Sequence, residues 1–159
     1  NNGFSESIGI IDIGFRTSDF ILVEAGRFKE DGSSGTIENA GVSNLIDRLK
    51  IRIDEAFGVE LPVMRVREAL KTKEIKAYGE ARSISQIIDE EAAVLARLIV
   101  NRARTYWKSG GHIDTLLLVG GGAEIFRPYI EKAYRHSVAS RVPAFSNAIG
   151  YWKYGKAKV

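Results

Sequence analysis

The stretch Ile8-Gly-Ile-Ile-Asp-Ile-Gly-Phe-Arg-Thr-Ser-Asp19 decides the fold, because it describes two strands joined by a very short turn. Residues 8–13 are β-branched and mostly apolar, which is typical of a strand. Gly14-Phe-Arg16 then predicts a turn, and Thr17 to Glu24 predicts a second strand. Because the connection is too short for a crossover, the two strands are expected to pair antiparallel.

One more β signal follows before the hydrophobic period changes. Asp31-Gly-Ser-Ser-Gly35 predicts the turn of another hairpin within residues 26–39. From residue 42 to residue 57, apolar residues recur at helical spacing. Ser43 is placed to cap the start of this helix and Gly58 to end it.

Helices and strands alternate through the next segment. Pro62 precedes a short predicted helix over residues 63–70, and a strand is expected over residues 73–78. A long helix follows, with Ser83 and Gln86 at the spacing of a capping box.

The last third of the chain begins with a buried strand, predicted over residues 115–119. Three glycines then lead into a helix over residues 124–134. Pro128 is tolerable there if it lies near the helix start, where amides have no partner within the helix. Residues 146–156 predict a final helix.

This order of elements predicts a single α/β domain over residues 1–159. Antiparallel hairpin strands come first, and strands alternating with helices follow, so a mixed sheet with helices on both faces is expected. Residues from about 42 to 79 are interpreted as an insertion subdomain between strands of the sheet.

Composition excludes several classes of protein. Hydrophobic residues make up 45% and charged residues 27% of the chain, which is the balance of a globular domain. No apolar run approaches the ~20 residues of a membrane span, and the first residues do not resemble a secretory signal. The absence of cysteine excludes disulfides and fits a reducing, cytoplasmic location. His112 and His136 lack ligand spacing, so no histidine metal site is expected.

The charge pattern does not favour direct nucleic-acid binding. The net charge is +3, and acidic and basic residues are interleaved, which is typical of a solvated helix face. The interleaving is clearest along the predicted long helix, at Asp89, Glu90, Glu91, Arg97, Arg102, Arg104 and Lys108.

The turn that follows Asp12 is the first candidate site. Gly14 lets the backbone approach a phosphate closely, and successive amides with the Thr17 hydroxyl can face an anion. Asp12 would then hold magnesium through its waters, because magnesium dehydrates reluctantly. An exposed hairpin with ordinary turn residues is the alternative.

Leu116-Leu-Leu-Val-Gly-Gly-Gly-Ala123-Glu124 is the second candidate site. A buried strand delivers three glycines to a helix start, where backbone amides are free and the surface is flat. The spacing matches neither the dinucleotide fingerprint nor a P-loop. A simple tight strand-to-helix turn is the alternative.

These segments, in this order, resemble the actin and DnaK-type chaperone superfamily. Asp12-x-Gly14-x-x-Thr17 resembles its second phosphate motif, Leu117-x-Val119-Gly-Gly-Gly-Ala123 its adenosine motif, and Ser146-Asn-Ala-x-Gly150 its second interlobe connecting helix. Gly41-Val-Ser-Asn-Leu45 and Asn147-Ala-Ile-Gly-Tyr-Trp-Lys-Tyr-Gly155 resemble the plasmid-segregation actins of the ParM type or archaeal actin-like proteins.

The resemblance implies a ribonuclease H-like, actin-type fold and roles for named residues. Asp12 would be the catalytic residue, orienting magnesium-bound water near the γ-phosphate of ATP. The implied nucleotide-binding residues are Gly14, Thr17, Lys50, Gly120, Gly121, Gly122 and Ala123. The first two would bind phosphate and the glycine run adenosine, while Lys50 would lie near the base or ribose unless it is simply solvated. Asp19 also resembles the ParM type.

The chain departs from the superfamily in two respects. Many members have glycine and threonine where this chain has Phe15 and Arg16, so Arg16 either touches phosphate or faces solvent. Nothing before Ile8 resembles the first phosphate motif or the first connecting helix. The chain is therefore expected to be the second, C-terminal lobe of a larger protein, with weak nucleotide binding and negligible hydrolysis by itself.

The implied function is that of a filament-forming ATPase in plasmid segregation or cytoskeletal organisation. Its partners would be copies of itself and, for DNA, an adaptor protein; neither direct nucleic-acid binding nor membrane binding is expected. Two alternatives stay open, namely a non-polymerising scaffold on the same fold and a lobe of a small-molecule kinase of the superfamily.

Overall fold

The computed structural model describes residues 6–157. The strands and helices are, in chain order, β1 (Ser7–Ile13), β2 (Thr17–Glu24), β3 (Arg27–Phe28), β4 (Gly35–Glu38), α1 (Val42–Phe57), α2 (Val63–Thr72), β5 (Glu74–Ala77), β6 (Glu80–Ser83), α3 (Ser85–Trp107), β7 (Thr115–Val119), α4 (Ala123–Ala133), β8 (Ser137–Ala139) and α5 (Ser146–Ala157).

The first two strands pair antiparallel, as predicted. Alternate residues of β1 are buried, so Ile11 and Ile13 face the main core. Asp12, between them, lies on the opposite face of the sheet. Asp12 stands directly across from Asp19 of β2 in this register.

The hairpin expected within residues 26–39 was a wrong prediction. Within the described part of the chain, β3 and β4 both pair with β2 and not with each other. The Ser34 hydroxyl accepts a hydrogen bond from the Leu22 amide at 3.1 Å, which holds the intervening segment against β2. The turn signal therefore marks a loop that lets the chain rejoin the same strand.

Two parallel strands complete a mixed sheet, as predicted. β7 lies parallel to β1 and places Val119 beside Asp12, and β8 lies parallel to β7. The strand order is β3-β2-β1-β7-β8, with β4 also on β2. The three-residue strand β8 was not predicted.

The main core lies between the sheet and helices α1, α3 and α4. Each helix buries an apolar stripe against it, with Leu49, Ile99 and Phe126 fully buried at its centre. Trp107, at the end of α3, is the largest buried side chain, and its indole N–H donates to the Ser33 carbonyl at 2.7 Å. This bond satisfies a polar group that would otherwise be buried without a partner.

The caps of α1 differ in part from the prediction. Gly58 ends the helix in the left-handed conformation, at φ +62°, as predicted. The start, however, lies at Gly41, whose amide donates to the Asn44 side chain at 3.2 Å. Ser43 was therefore the wrong cap, because it is already inside the helix and its amide donates to the Phe15 carbonyl.

The predicted capping box of α3 does not form. The Gln86 side chain donates instead to Glu90, one turn further along, at 2.9 Å. The Ser83 hydroxyl accepts only the nearby Ser85 amide at 3.4 Å, because Ser83 is still part of β6.

Pro128 lies at the sixth position of α4, so its placement near the helix start was also wrong. Its side chain is on the exposed side, where the carbonyl that loses a helical partner can be hydrated.

Contrary to the prediction, the charged face of α3 is only partly solvated. Glu91 is buried and contacts Arg48 at 2.5 Å and Arg52 at 3.3 Å, both on α1. A buried carboxylate requires such partners, since leaving it unpaired would be costly.

A small two-stranded sheet, β5–β6, stands apart from the main sheet and packs with α2. The Tyr78 hydroxyl, at its turn, donates to the Gly58 carbonyl at 2.8 Å and ties the hairpin to the end of α1. The expected strand over residues 73–78 corresponds to β5. The insertion over residues 42–79 stays a prediction.

α5 lies on the face of the sheet opposite the other large helices, which confirms helices on both faces. Its first half borders a cleft of about 560 Å³ with Ile10 and Leu117 of the sheet. Among residues 6–157, no helix has the length and apolar character needed to cross a membrane.

Candidate functional site

Asp12 is the point at which the candidate segments meet. The end of β1 holds it beside Val119 of β7. Its carboxylate accepts a hydrogen bond from the Asn147 side chain of α5 at 2.7 Å. The phosphate-type turn, the glycine run and the last helix, which are remote in sequence, therefore converge on one carboxylate.

Gly120 fits against Asp12 so closely that no side chain is tolerated. Its φ is +86°, and a Cβ there would collide with the Asp12 carboxylate and the Ile13 carbonyl. Its amide donates to the Pro143 carbonyl at 2.9 Å, so the turn is also anchored to the segment before α5. Glycine at this position is required by both conformation and space.

Gly122 and Ala123 support the turn from within the core. The Gly122 amide donates to the Ile13 carbonyl at 2.9 Å, and a Cβ on Gly122 would lie 2.5 Å from the Ile13 side chain. Ala123 is fully buried, and its amide donates to the Gly120 carbonyl at 3.2 Å. Neither the Ala123 side chain nor its amide is therefore available to a ligand.

Of the three glycines in this run, Gly121 is the one that faces open space. A Cβ at this position would meet no atom within 4 Å. Packing therefore does not explain the missing side chain. A flat ligand lying against this exposed backbone would explain it.

The turn after Asp12 is held by the start of α1. The Gly14 amide donates to the Thr17 carbonyl at 2.9 Å and closes the turn. The Gly14 carbonyl accepts the Val42 amide at 3.2 Å, and the Phe15 carbonyl accepts the Ser43 amide at 2.7 Å. The first amides of α1 are consequently occupied and cannot bind an anion.

This contact leaves the amides of the turn itself facing outward. In a trans peptide the N–H points away from the C=O. Since the carbonyls of Gly14 and Phe15 point to α1, the amides of Phe15 and Arg16 point away from it. No acceptor among residues 6–157 binds these two amides. Two adjacent N–H groups without an acceptor are donors of the kind that can bind an anion.

Thr17 and Asp19 form a second polar group beside the turn. The Thr17 hydroxyl lies 3.5 Å from Asp19, which also accepts the Thr36 hydroxyl. Asp19 is thus held by two hydroxyls, opposite Asp12 on the same face of the β1–β2 pair.

The carboxylates present fit a cation bound largely through water. Asp12 and Asp19 supply oxygen ligands of the kind that magnesium prefers. No cluster of three or more acidic or histidine side chains within the described residues could enclose a metal alone. A magnesium ion at Asp12 would therefore need waters and ligand phosphates to complete its shell.

A cleft of about 620 Å³ opens between the glycine turn and α2. Gly121 and Val42 line one side, and the other side carries the basic residues Arg67, Lys71 and Lys73. Sequence reasoning missed these three residues, although Arg67 and Lys71 are spaced i, i+4 and so share one face of a helix.

Lys50 does not join this group. It lies on α1, eight residues beyond Val42, or ~12 Å at the rise of an α-helix. It does not line the cleft beside Gly121. The basic side chains near the glycine turn come from α2 instead, so the implied role of Lys50 finds no support in its position.

Solved structures with the same fold cover almost the whole chain. A 15-stranded ParM filament from Clostridium botulinum matches with a TM-score of 0.87 at 22% identity, over 97% of this chain and 46% of that one. The archaeal actin homolog Ta0583 in complex with ADP matches with a TM-score of 0.83 at 21% identity, over 96% and 50%. Bacillus thuringiensis ParM with ATP matches with a TM-score of 0.64 at 18% identity, over 91% and 45%.

These likenesses confirm the predicted actin-like fold. The chain spans about half the length of the structures it matches. No curated protein sequence gives a significant match. The family model described as archaeal actin homologue MreB-like, C-terminal, matches residues 10–132, which is more than half of the chain, and the chain therefore belongs to this family.

Proposed function

We propose that this chain is the second nucleotide-binding lobe of an actin-like, filament-forming ATPase and that it binds the phosphates and adenosine of magnesium-ATP. The parent protein would act in DNA segregation or cytoskeletal organisation, with copies of itself as filament partners and an adaptor for DNA. The lobe would work inside the cell, in the cytoplasm.

The observation that carries the proposal is that two surfaces lie close to the end of β1, one at the turn after Asp12 and one at the glycine turn. On one side, the Phe15 and Arg16 amides point away from α1 and have no acceptor in the described chain. On the other side, Gly121 presents bare backbone to a cleft lined by basic residues. A ligand with an anionic end and a flat end matches this arrangement, and a nucleotide has both.

The relatives support the same ligand and assembly. One structural neighbour is described as bound to ADP, a second as bound to ATP, and a third as a filament. Each shares the fold of this chain, which supports a nucleotide as the proposed ligand.

Phosphoryl transfer would rest on positioning and electrostatics. Magnesium would neutralise charge on the phosphates, and Asp12 would orient its bound water. Gly14 and Thr17 would hold the phosphate turn, and Asn147 would keep the Asp12 carboxylate in place. Because the other lobe would supply the rest of the site, hydrolysis by this chain alone is expected to be negligible.

Calorimetric titration of magnesium-ATP into this chain tests the proposal. Gly121→Val is a suitable variant, because the added Cβ would meet no protein atom within 4 Å and would lie at the cleft. Asp12→Asn removes the charge and keeps the shape. Gly111→Val is the matched control, since Gly111 lies in the loop after α3 and has only the Ser109 hydroxyl near its Cβ position.

Weak binding that Gly121→Val and Asp12→Asn abolish, and Gly111→Val preserves, is the expected result. Binding that is unaffected by both site variants would refute the placement of the site. For the full-length parent, ATP-dependent pelleting is expected. Its absence would favour the non-polymerising scaffold, and phosphorylation of a sugar or acid would favour the kinase.

A further inference from the structure

Arg67 of α2 lies over the aromatic ring of Phe15. The guanidinium carbon is 6.0 Å from the ring centroid, which is the range of a cation–π contact. Phe15 is half exposed, with 53% of its surface accessible, and its ring points from the turn toward α2. Phe15 therefore has both an amide without an acceptor in the described chain and a ring that contacts an arginine.

The charge of Arg67 has no fixed counterion in the described residues. No carboxylate among them lies within 4.0 Å of its guanidinium. Glu68, the adjacent acid, is paired with Arg65 at 3.0 Å. Arg67 nevertheless borders the cleft beside Gly121, where it is free to pair with a bound anion.

The other charged groups of this cleft are Glu68, Lys71, Lys73 and Glu124. Three cations against two acids, one of them already paired, leave the cleft positively charged. An anionic ligand is therefore favoured over a cationic one.

We propose that Arg67 is a phosphate-reading residue, held over the turn by Phe15 until a nucleotide phosphate binds there and takes over the guanidinium. This inference rests on the proposed nucleotide site and adds the group that distinguishes phosphorylated from unphosphorylated ligands. A guanidinium donates two parallel, charge-assisted hydrogen bonds to a phosphate, which are stronger than an exposed cation–π contact. The phosphate therefore displaces the ring.

The proposal also accounts for Phe15 itself. No positive φ is recorded for Phe15, so the backbone of the turn does not require a particular residue type at this position. The ring restricts the free movement of the arginine and keeps it close to the two outward amides. Such preorganisation lowers the entropy lost when phosphate binds.

The test compares Arg67→Gln with Arg65→Gln. Both residues lie on α2 and both are exposed, but Arg65 faces a different cleft and is paired with Glu68. Affinities for magnesium-ATP, magnesium-ADP and adenosine are measured by calorimetry for each protein, together with Phe15→Leu and the Phe15→Leu, Arg67→Gln double variant. Thermal melting confirms that each variant is folded.

Arg67→Gln is expected to weaken the binding of both magnesium nucleotides about tenfold and to change the affinity for adenosine by no more than about twofold. Phe15→Leu is expected to weaken the nucleotides about threefold. The double variant should bind no worse than Arg67→Gln alone, because the ring acts through the arginine. Arg65→Gln should match the unaltered chain.

Three results would overturn the proposal. These are equal effects of Arg67→Gln and Arg65→Gln, an equal loss of adenosine and nucleotide binding in Arg67→Gln, or losses that add in the double variant. If the unaltered chain bound none of the three ligands, the proposed nucleotide site would fail and this inference with it.

Discussion

Asn147 donates its side-chain amide to the carboxylate of Asp12 at 2.7 Å, across 135 positions of the sequence. The bond links the last helix to the candidate catalytic residue at the end of β1. It occupies one carboxylate oxygen and fixes the direction of the other. The direction of the Asp12 carboxylate, and with it the proposed nucleotide binding, therefore depends on the placement of α5.

Replacing Asn147 should weaken magnesium-ATP binding without unfolding the chain. In Asn147→Ala the Asp12 carboxylate becomes free to rotate, and affinity should fall a few-fold. Since Asn147 is exposed, the loss in unfolding free energy should be ~1 kcal/mol. Asn147→Asp places a second negative charge against Asp12 and should be more harmful to binding. Equal affinities of Asn147→Asp and the unaltered chain in calorimetry would contradict this coupling.

Gly122→Ala should destabilise the fold, whereas Gly121→Ala should not. A Cβ on Gly122 lies 2.5 Å from the Ile13 side chain and 3.1 Å from that of Val42, so the core must shift. Overpacking of this kind costs ~1–3 kcal/mol. A Cβ on Gly121 meets nothing within 4 Å. Urea unfolding of the two variants measures the difference, and equal midpoints would show that the turn is not packed as described.

Glu91→Gln should lower the unfolding free energy by ~1–2 kcal/mol, because it removes the charge that binds Arg48 and Arg52 across α1 and α3. The loss is moderate because both arginines are about two-fifths exposed and can be hydrated. Glu90→Gln is the control. Glu90 also contacts Arg52 but is itself exposed, so its removal should cost less than ~0.5 kcal/mol. A larger loss of unfolding free energy for Glu90→Gln than for Glu91→Gln would contradict the stabilising role of Glu91.

Tyr129 should make stability fall at high pH. Burial, followed by the hydrogen bond from its hydroxyl to Asp89, raises the pKa of Tyr129 from 10.0 to about 12. Below pH 10 the phenol is protonated in both the folded and the unfolded chain. As the pH rises from 10 to about 12, only the unfolded phenol ionises, so the stabilisation is progressively lost. Tyr129→Phe should lose less unfolding free energy between pH 10 and about 12, as measured by denaturant titrations. The same pH dependence of unfolding free energy in the variant and the unaltered chain would contradict the raised pKa.

Hydrophobic periodicity predicted most of the strands and helices but not the strand pairing of β3, β4 and β8. Alternation in residues 8–13 and the helical spacing in residues 42–57 reflect the burial of one face, and that burial is visible in sequence. β8 is invisible because three residues, Ser137–Ala139, carry too little pattern and are fixed by pairing with β7. The false hairpin within residues 26–39 has the same origin, since the pairing partner was β2.

In the candidate site, too, residue types were predictable from the sequence, whereas spatial arrangement was not. Asp12 and the glycine run were predicted from their residue types, and their adjacency follows from the β1–β7 register, which no local signal encodes. Ala123 and Gly121 look alike in sequence, yet one is buried and the other open. Arg67 and Lys71 were not predicted, because the way α2 folds back beside the glycine turn depends on tertiary packing.

The proposed nucleotide site includes the amides of Phe15 and Arg16, which lack an acceptor in the described chain, so amide chemical shifts test it directly. The measurement is a ¹H–¹⁵N NMR titration of this chain with magnesium-ATP. The largest shifts should fall on the amides of Phe15 and Arg16, with a further group at Gly121. Shifts concentrated instead in the separate cleft between α2 and the β5–β6 sheet, with Phe15 and Arg16 unmoved, would contradict the assignment of the nucleotide site.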